Sequence, residues 1–134
     1  MGESHLVRSV RELLTIYENQ DIVHWWERLN SGNILSERGS AKYMVKLCRT
    51  GTPDFIVVSS YPLVSSTDMD GKLFAQVDFL ECKTEKGKLT KEQKEFKARC
   101  TFNYQWANYY VIRDLEEVIR LYASNRHSDT IRKQ

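Results

Sequence analysis

No apolar run in the sequence approaches the roughly 20 residues of a bilayer-spanning helix, so no membrane partner is expected. The opening Met1-Gly2-Glu3-Ser4-His5 lacks the basic region and apolar core of a secretory signal. Leu6 stands where a myristoylation pattern wants Ser or Thr. These absences predict an intracellular, cytoplasmic protein. The three cysteines, Cys48, Cys82 and Cys100, are odd in number and widely spaced. They make neither a disulfide framework nor a CxxC zinc pair and read as small buried hydrophobes. His5, His24 and His127 show no ligand spacing and read as surface or structural histidines. No internal repeat or low-complexity tract is visible. A chain of 134 residues fits one domain, here residues 1–123, with a polar, frayed tail over 124–134.

What is present is an uneven charge. Residues 1–82 hold 8 basic and 11 acidic side chains, and residues 83–134 hold 12 and 7. The excess is densest between Lys83 and Arg99, where Lys86, Lys88, Lys91, Lys94 and Lys97 face only Glu85, Glu92 and Glu95. A local basic face suits a polyanion; the plain alternative is a solvated helix face.

Hydrophobic periodicity sets the element order. Leu6, Val10, Leu13, Leu14 and Tyr17 predict an amphipathic helix over residues 4–19. Residues 22–29 read as a strand, 33–41 as a loop and 42–48 as a half-buried strand. Arg49-Thr50-Gly51-Thr52-Pro53 is a turn feeding a short apolar strand over 54–58, then a polar loop over 59–72. Residues 73–83 alternate as a long strand whose face carries Val77, Phe79, Glu81 and Lys83. Thr90-Lys91-Glu92-Gln93 is a capping box opening a helix to about Cys100. A strand over 107–113 and a second box, Asp114 to Glu117, lead into a last helix. Trp25, Trp26, Trp106, Tyr104, Tyr109 and Tyr110 read mainly as core aromatics, with base stacking as the alternative. The order α-β-β-β-β-α-β-α predicts an α/β fold, a mixed central sheet flanked by helices.

The chemistry lies at two strand ends. If the strand starting at Asp54 and the one ending at Glu81-Cys82-Lys83 form an antiparallel pair, Asp54, Glu81 and Lys83 converge on one sheet edge. Two carboxylates there can hold Mg²⁺ or Mn²⁺, with the Cys82 backbone carbonyl as a further ligand. Lysine can orient a nucleophilic water and balance charge in the transition state. Hard oxygen donors argue against zinc. A charged pair on a core-facing strand face is expensive unless it has a task.

Read in order, Trp26-Glu27-Arg28-Leu29-Asn30-Ser31-Gly32, Gly51-Thr52-Pro53-Asp54, Glu81-Cys82-Lys83 and Gly87-Lys88-Leu89-Thr90-Lys91-Glu92-Gln93 resemble the PD-(D/E)XK nucleases, in particular the virus-type replication-repair nuclease (VRR-NUC) branch. The resemblance covers residues 3–122 and implies a restriction-endonuclease-like core. It implies Asp54 and Glu81 as metal ligands with the Cys82 carbonyl, Lys83 as catalytic lysine, Gln93 facing the site, and Glu3 as the helix carboxylate, with Glu12 and Glu18 as rivals. For Gln93 the alternative is a capping box alone. Arg28 and Asn30 contact phosphate or position the site, with plain sheet-surface polar residues as the alternative, and Lys88, Lys91, Lys94 and Lys97 supply the DNA face. The implied activity is a Mg²⁺- or Mn²⁺-dependent endonuclease on branched DNA, such as four-way junctions or flaps, in DNA repair, acting as a homodimer of phage or bacterial type. A non-catalytic DNA-junction or DNA-end binding module is the alternative, and an RNA-cutting toxin or restriction subunit a third. Asp54 and Glu81 are 27 positions apart, a long gap for which the 59–72 loop reads as an insertion.

Overall fold

The structure is a computed structural model that describes residues 2–29, 33–46, 48–62, 73–102 and 104–123. Helix α1 (Glu3–Asn19) buries Leu6, Val10, Leu14 and Tyr17 at the predicted helical spacing. Asp21 takes a left-handed φ of 58° just beyond it, and Ile22 and Val23 turn inward before strand β1 (Trp25–Arg28). Strands β2 (Asn33–Arg38) and β3 (Ala41–Lys46) form a separate two-stranded ribbon. Strand β4 (Phe55–Pro62) and strand β5 (Leu73–Cys82) form the centre of the main sheet. Helix α2 (Lys91–Thr101), strand β6 (Asn108–Ile112) and helix α3 (Leu115–Leu121) follow.

The main sheet has the order β1-β4-β5-β6. The β1–β4 and β4–β5 pairs are antiparallel and β5–β6 is parallel, so the sheet is mixed. Period-two alternation gives it two apolar faces. On one, Phe55, Val57, Leu80, Cys82 and Ile112 meet α1 and Val118 and Tyr122 from α3 and its end. On the other, Ile56, Val77, Phe79 and Tyr109 meet Phe96 and Cys100 of α2. The protein is thus an α/β fold with a mixed central sheet and flanking helices. No helix among the described residues is long and apolar enough to cross a membrane.

Three readings of the sequence are corrected. Residues 33–41 were expected as a loop, but 33–38 form β2. The joining Gly39-Ser40 pair, with Gly39 at φ 63° and Ser40 at ordinary φ, has the features of a type II′ hairpin turn. Strand β3 was expected to be half-buried. Tyr43, Met44 and Val45 are instead exposed, because among the described residues the ribbon packs on no other element. The polar loop begins later than expected, since Ser59 to Pro62 continue β4 opposite Leu73 to Gln76; residues 63–72, and the 124–134 tail, lie outside the described residues. Cys82 and Cys100 are buried and Cys48 half-buried, and all three are free thiols.

Candidate metal centre

Strand register builds the site. Phe55 pairs with Leu80, so the chain entering β4 brings Asp54 beside Glu81. The turn before Asp54 is seated on α2 through Gly51, whose φ is 93°. A Cβ there would stand 2.6 Å from the Glu92 carbonyl oxygen, so only glycine permits this approach. Asp54 is then held on both carboxylate oxygens. Oδ2 accepts from the Cys82 backbone N–H at 2.7 Å, and Oδ1 lies 3.3 Å from Arg28 Nη1. The same Nη1 donates to the Asp54 carbonyl at 3.0 Å and to the Leu29 carbonyl, while the guanidinium lies over the Phe55 ring. Arg28 is therefore committed to placing Asp54. Asn30, its predicted companion, lies outside the described residues.

Glu81 is only 3% exposed. Its Oε1 accepts from Gln93 Nε2 at 2.9 Å, and its Oε2 is buried with no hydrogen-bond partner among the described residues. The two alternatives for Gln93 are both realised. Its Oε1 accepts the Thr90 N–H at 2.8 Å and its own N–H donates to Thr90 Oγ1 at 3.2 Å, completing the capping box. The remaining amide end is left to hold Glu81. The second box is half formed. Asp114 Oδ1 accepts the Glu117 N–H at 3.1 Å, but Glu117 Oε2 accepts from the Arg113 N–H rather than from Asp114.

Glu3 completes the group from the first turn of α1. One carboxylate oxygen each from Glu3, Asp54 and Glu81 lie within 4.8 Å of one another. Glu12 and Glu18 are not in this cluster; at 1.5 Å rise per residue Glu12 stands about 13 Å further along the helix. An open hollow of about 390 Å³ adjoins the cluster, lined by Glu3, Ser4, Val7, Arg28 and Asp54.

The electrostatics are those of acids crowded out of water. Burial pushes the Glu81 carboxyl up to about 8, the Asp54 charge adds to the rise, Lys83 opposes it and Glu3 adds again. Burial also raises Asp54, against the Cys82 N–H and Arg28, which favour its ionised form. Lys83 is half-buried, its N–H donates to the Ile112 carbonyl at 2.9 Å, and its charge acts on both carboxyls. The Cys82 side chain points into the opposite core and burial raises its thiol, so the sulfur is no ligand. Its N–H faces Asp54, and in a strand the carbonyl of the same residue lies on that side too.

Two residues of the site had no distinctive sequence signal. Tyr109 was read with the core aromatics, but its hydroxyl is buried without a partner among the described residues, and its own acidity is weakened first by burial and then by the Glu81 and Asp54 charges. Arg113 Nη1 donates to the carbonyls of Thr84, Glu85 and Gly87 at 2.6, 3.1 and 2.8 Å, tying down the turn between Lys83 and α2. Lys88, Lys91, Lys94 and Lys97 are exposed, on a surface beside rather than inside the cluster. Trp25, Trp106 and Tyr104 depart from the core reading, being 44%, 58% and 86% exposed. Compared with known proteins, the chain matches no family model, no curated protein and no solved structure.

Proposed function

We propose that the protein is a Mg²⁺- or Mn²⁺-dependent nuclease that hydrolyses phosphodiester bonds in DNA, selects branched structures and works as a homodimer, with a PD-(D/E)XK core of the VRR-NUC type. The observation that carries this reading is the convergence of Glu3 from α1, Asp54 from the segment entering β4 and Glu81 from β5, with one buried carboxylate oxygen left unpartnered among the described residues. The donor set fits a hard divalent cation: carboxylate oxygens, a backbone carbonyl and no nitrogen or sulfur ligand. Asp54, Glu81, the Cys82 carbonyl and Glu3 would hold it. A bound cation supplies positive charge against the negative charge that builds on the phosphoryl group.

The other side chains act on that centre. Gln93 and Arg28 fix the orientation of Glu81 and Asp54, as partners of metal ligands do. Lys83 shares the strand face with Glu81 and would orient the attacking water and balance developing charge. Burial keeps Glu81, and in part Asp54, in a medium of low dielectric, where those charges act strongly. Two active sites related by a two-fold axis suit a four-way junction. The test is incubation with single-stranded, duplex, flap and four-way-junction DNAs, with and without Mg²⁺ or Mn²⁺. Cation-dependent cleavage lost in Lys83→Ala supports the reading. Binding without cleavage under all cations would favour the junction-binding module instead.

A further inference from the structure

Away from the carboxylates, three aromatics crowd the segment after α2. Phe102, Tyr104 and Trp106 are all exposed. Trp106 is exposed yet fixed. Its indole N–H donates to the Arg99 carbonyl at 2.8 Å, and its ring meets Phe79 in a T-shaped arrangement at 5.7 Å. The polar handle and one side of the ring are thus already satisfied, which leaves a rigid aromatic surface for something flat. The indole also borders two depressions. One is lined by Arg49, Thr50, Thr52 and Arg99, with Glu92 and Glu95 beside them. The other, about 540 Å³, is lined by Gln76, Gln105 and Asn108 with Ala75, Val77 and Ala107, a volume within the range of small-molecule sites.

The carboxamides in that second depression are oriented by a buried acid. Asp78 is fully buried and, when ionised, can only accept. It therefore turns the amino ends of Gln76 and Asn108 toward itself, at 3.1 and 2.9 Å. Asn108 Oδ1 in turn accepts from Gln105 Nε2 at 2.6 Å. The carbonyl oxygens of Gln76 and Gln105 are left without a protein partner among the described residues. A rigid indole beside preset carboxamide acceptors has the chemistry of a nucleobase site, since every base has a π-face and amide groups match base edges.

We propose that Trp106, with Gln76 and Gln105, forms a subsite for an unpaired nucleobase of the DNA, stacked on the indole. The subsite rests on reading the substrate as DNA. Gln76 and Glu81 share strand β5, five residues and so roughly 17 Å apart. A single strand reaching the carboxylates from this end passes the indole.

The test uses the full chain in EDTA, where turnover cannot contribute. Two single-stranded oligonucleotides of about ten nucleotides, one ordinary and one abasic throughout, carry the same phosphate charge and differ only in the bases, which supply the stacking face and the edge hydrogen bonds. The ordinary strand should bind at least about fivefold more tightly, the low end expected for one stacked base. Trp106→Ala should remove that preference, Trp106→Phe should restore part of it, and Gln105→Ala, on an exposed side chain, should reduce it. Equal affinity of wild type for the two strands, a preference that survives Trp106→Ala, or no binding of either strand overturns the subsite. Cation-dependent cleavage is scored separately on the branched panel, so loss of the nuclease reading and loss of the subsite give different results.

Discussion

Strand β5 carries two buried carboxylates three residues apart, Asp78 and Glu81, and the chain treats them in opposite ways. Asp78 is saturated. It accepts from Gln76 on both oxygens, from Asn108 Nδ2 at 2.9 Å and from Tyr122 Oη at 2.9 Å. Those donors tie β5, β6 and the end of α3 together. Glu81 receives one hydrogen bond, keeps one oxygen unpartnered and faces two further acids. A fully satisfied buried acid stabilises a fold, whereas a half-satisfied one is retained at a cost. The two are told apart by counting donors, since burial alone treats them alike.

That contrast breaks most sharply under isosteric substitution. Glu81→Gln keeps the shape and removes the charge. Cleavage should fall by more than about 100-fold, beyond the 10–100-fold expected for a partner of a metal ligand, while the melting temperature in EDTA stays level or rises. Asp54→Ala should behave alike in activity. Normal turnover in either variant would remove the site assignment. Asp78→Ala should do the reverse, costing at least about 3 kcal/mol of stability because three donors lose their acceptor in a buried place. Urea titrations of both variants, set beside the cleavage assay, measure the difference.

Most of this was legible because it rests on local rules. The α1 stripe of Leu6, Val10, Leu14 and Tyr17, the Thr90–Gln93 box and the β5 alternation are written in neighbouring residues, and each formed as read. The convergence of Asp54 and Glu81 followed from one assumption, the antiparallel pairing of β4 and β5. Strand β2 was read as a loop and β3 as half-buried because neither carries a clean buried face; the Gly39-Ser40 pair was the available signal for the hairpin. The Asp78 network and Arg113 were illegible for another reason. Apart from Gln76, two residues from Asp78, their partners lie 26 to 44 residues away, and no local pattern announces such pairings.

A further separation of the two acids comes from pH. Glu81 rises from an ordinary 4.5 to about 8 in the fold. Between those values the unfolded chain gives up the proton that the folded chain keeps, so protons favour the folded state. The metal-free protein should therefore lose stability as pH rises from about 4.5 to about 8. Melting in EDTA across that range checks the sign, and Glu81→Gln should flatten the curve. Added Mn²⁺ should restore more stability at the alkaline end, because cation binding displaces protons from its ligands. A flat wild-type curve would show that Glu81 is ionised without a cation. Gln93→Ala should have a smaller effect, about 1 kcal/mol through the lost acceptor for the Thr90 N–H and at most about 100-fold in cleavage through a loosened Glu81.

The smallest expected effect tests the basic face beside the site. Lys91, Lys94 and Lys97 are exposed on α2, whose inward side is marked by Gln93, Phe96 and Cys100. None enters the carboxylate cluster, so replacing all three by alanine should leave stability within about 0.5 kcal/mol per site. Saturated turnover should change little. If the lysines neutralise phosphates, the triple variant should bind DNA more weakly. Its log affinity against log salt should then flatten by about 0.9 for each B-DNA phosphate that is no longer neutralised. Binding over a KCl series, wild type against variant, reads both quantities at once. An unchanged slope would make these lysines a solvated helix face. The strand would then have to run elsewhere, and the groove between Arg49, Arg99 and Trp106, with its balanced acids and bases, would be the surface to mutate next.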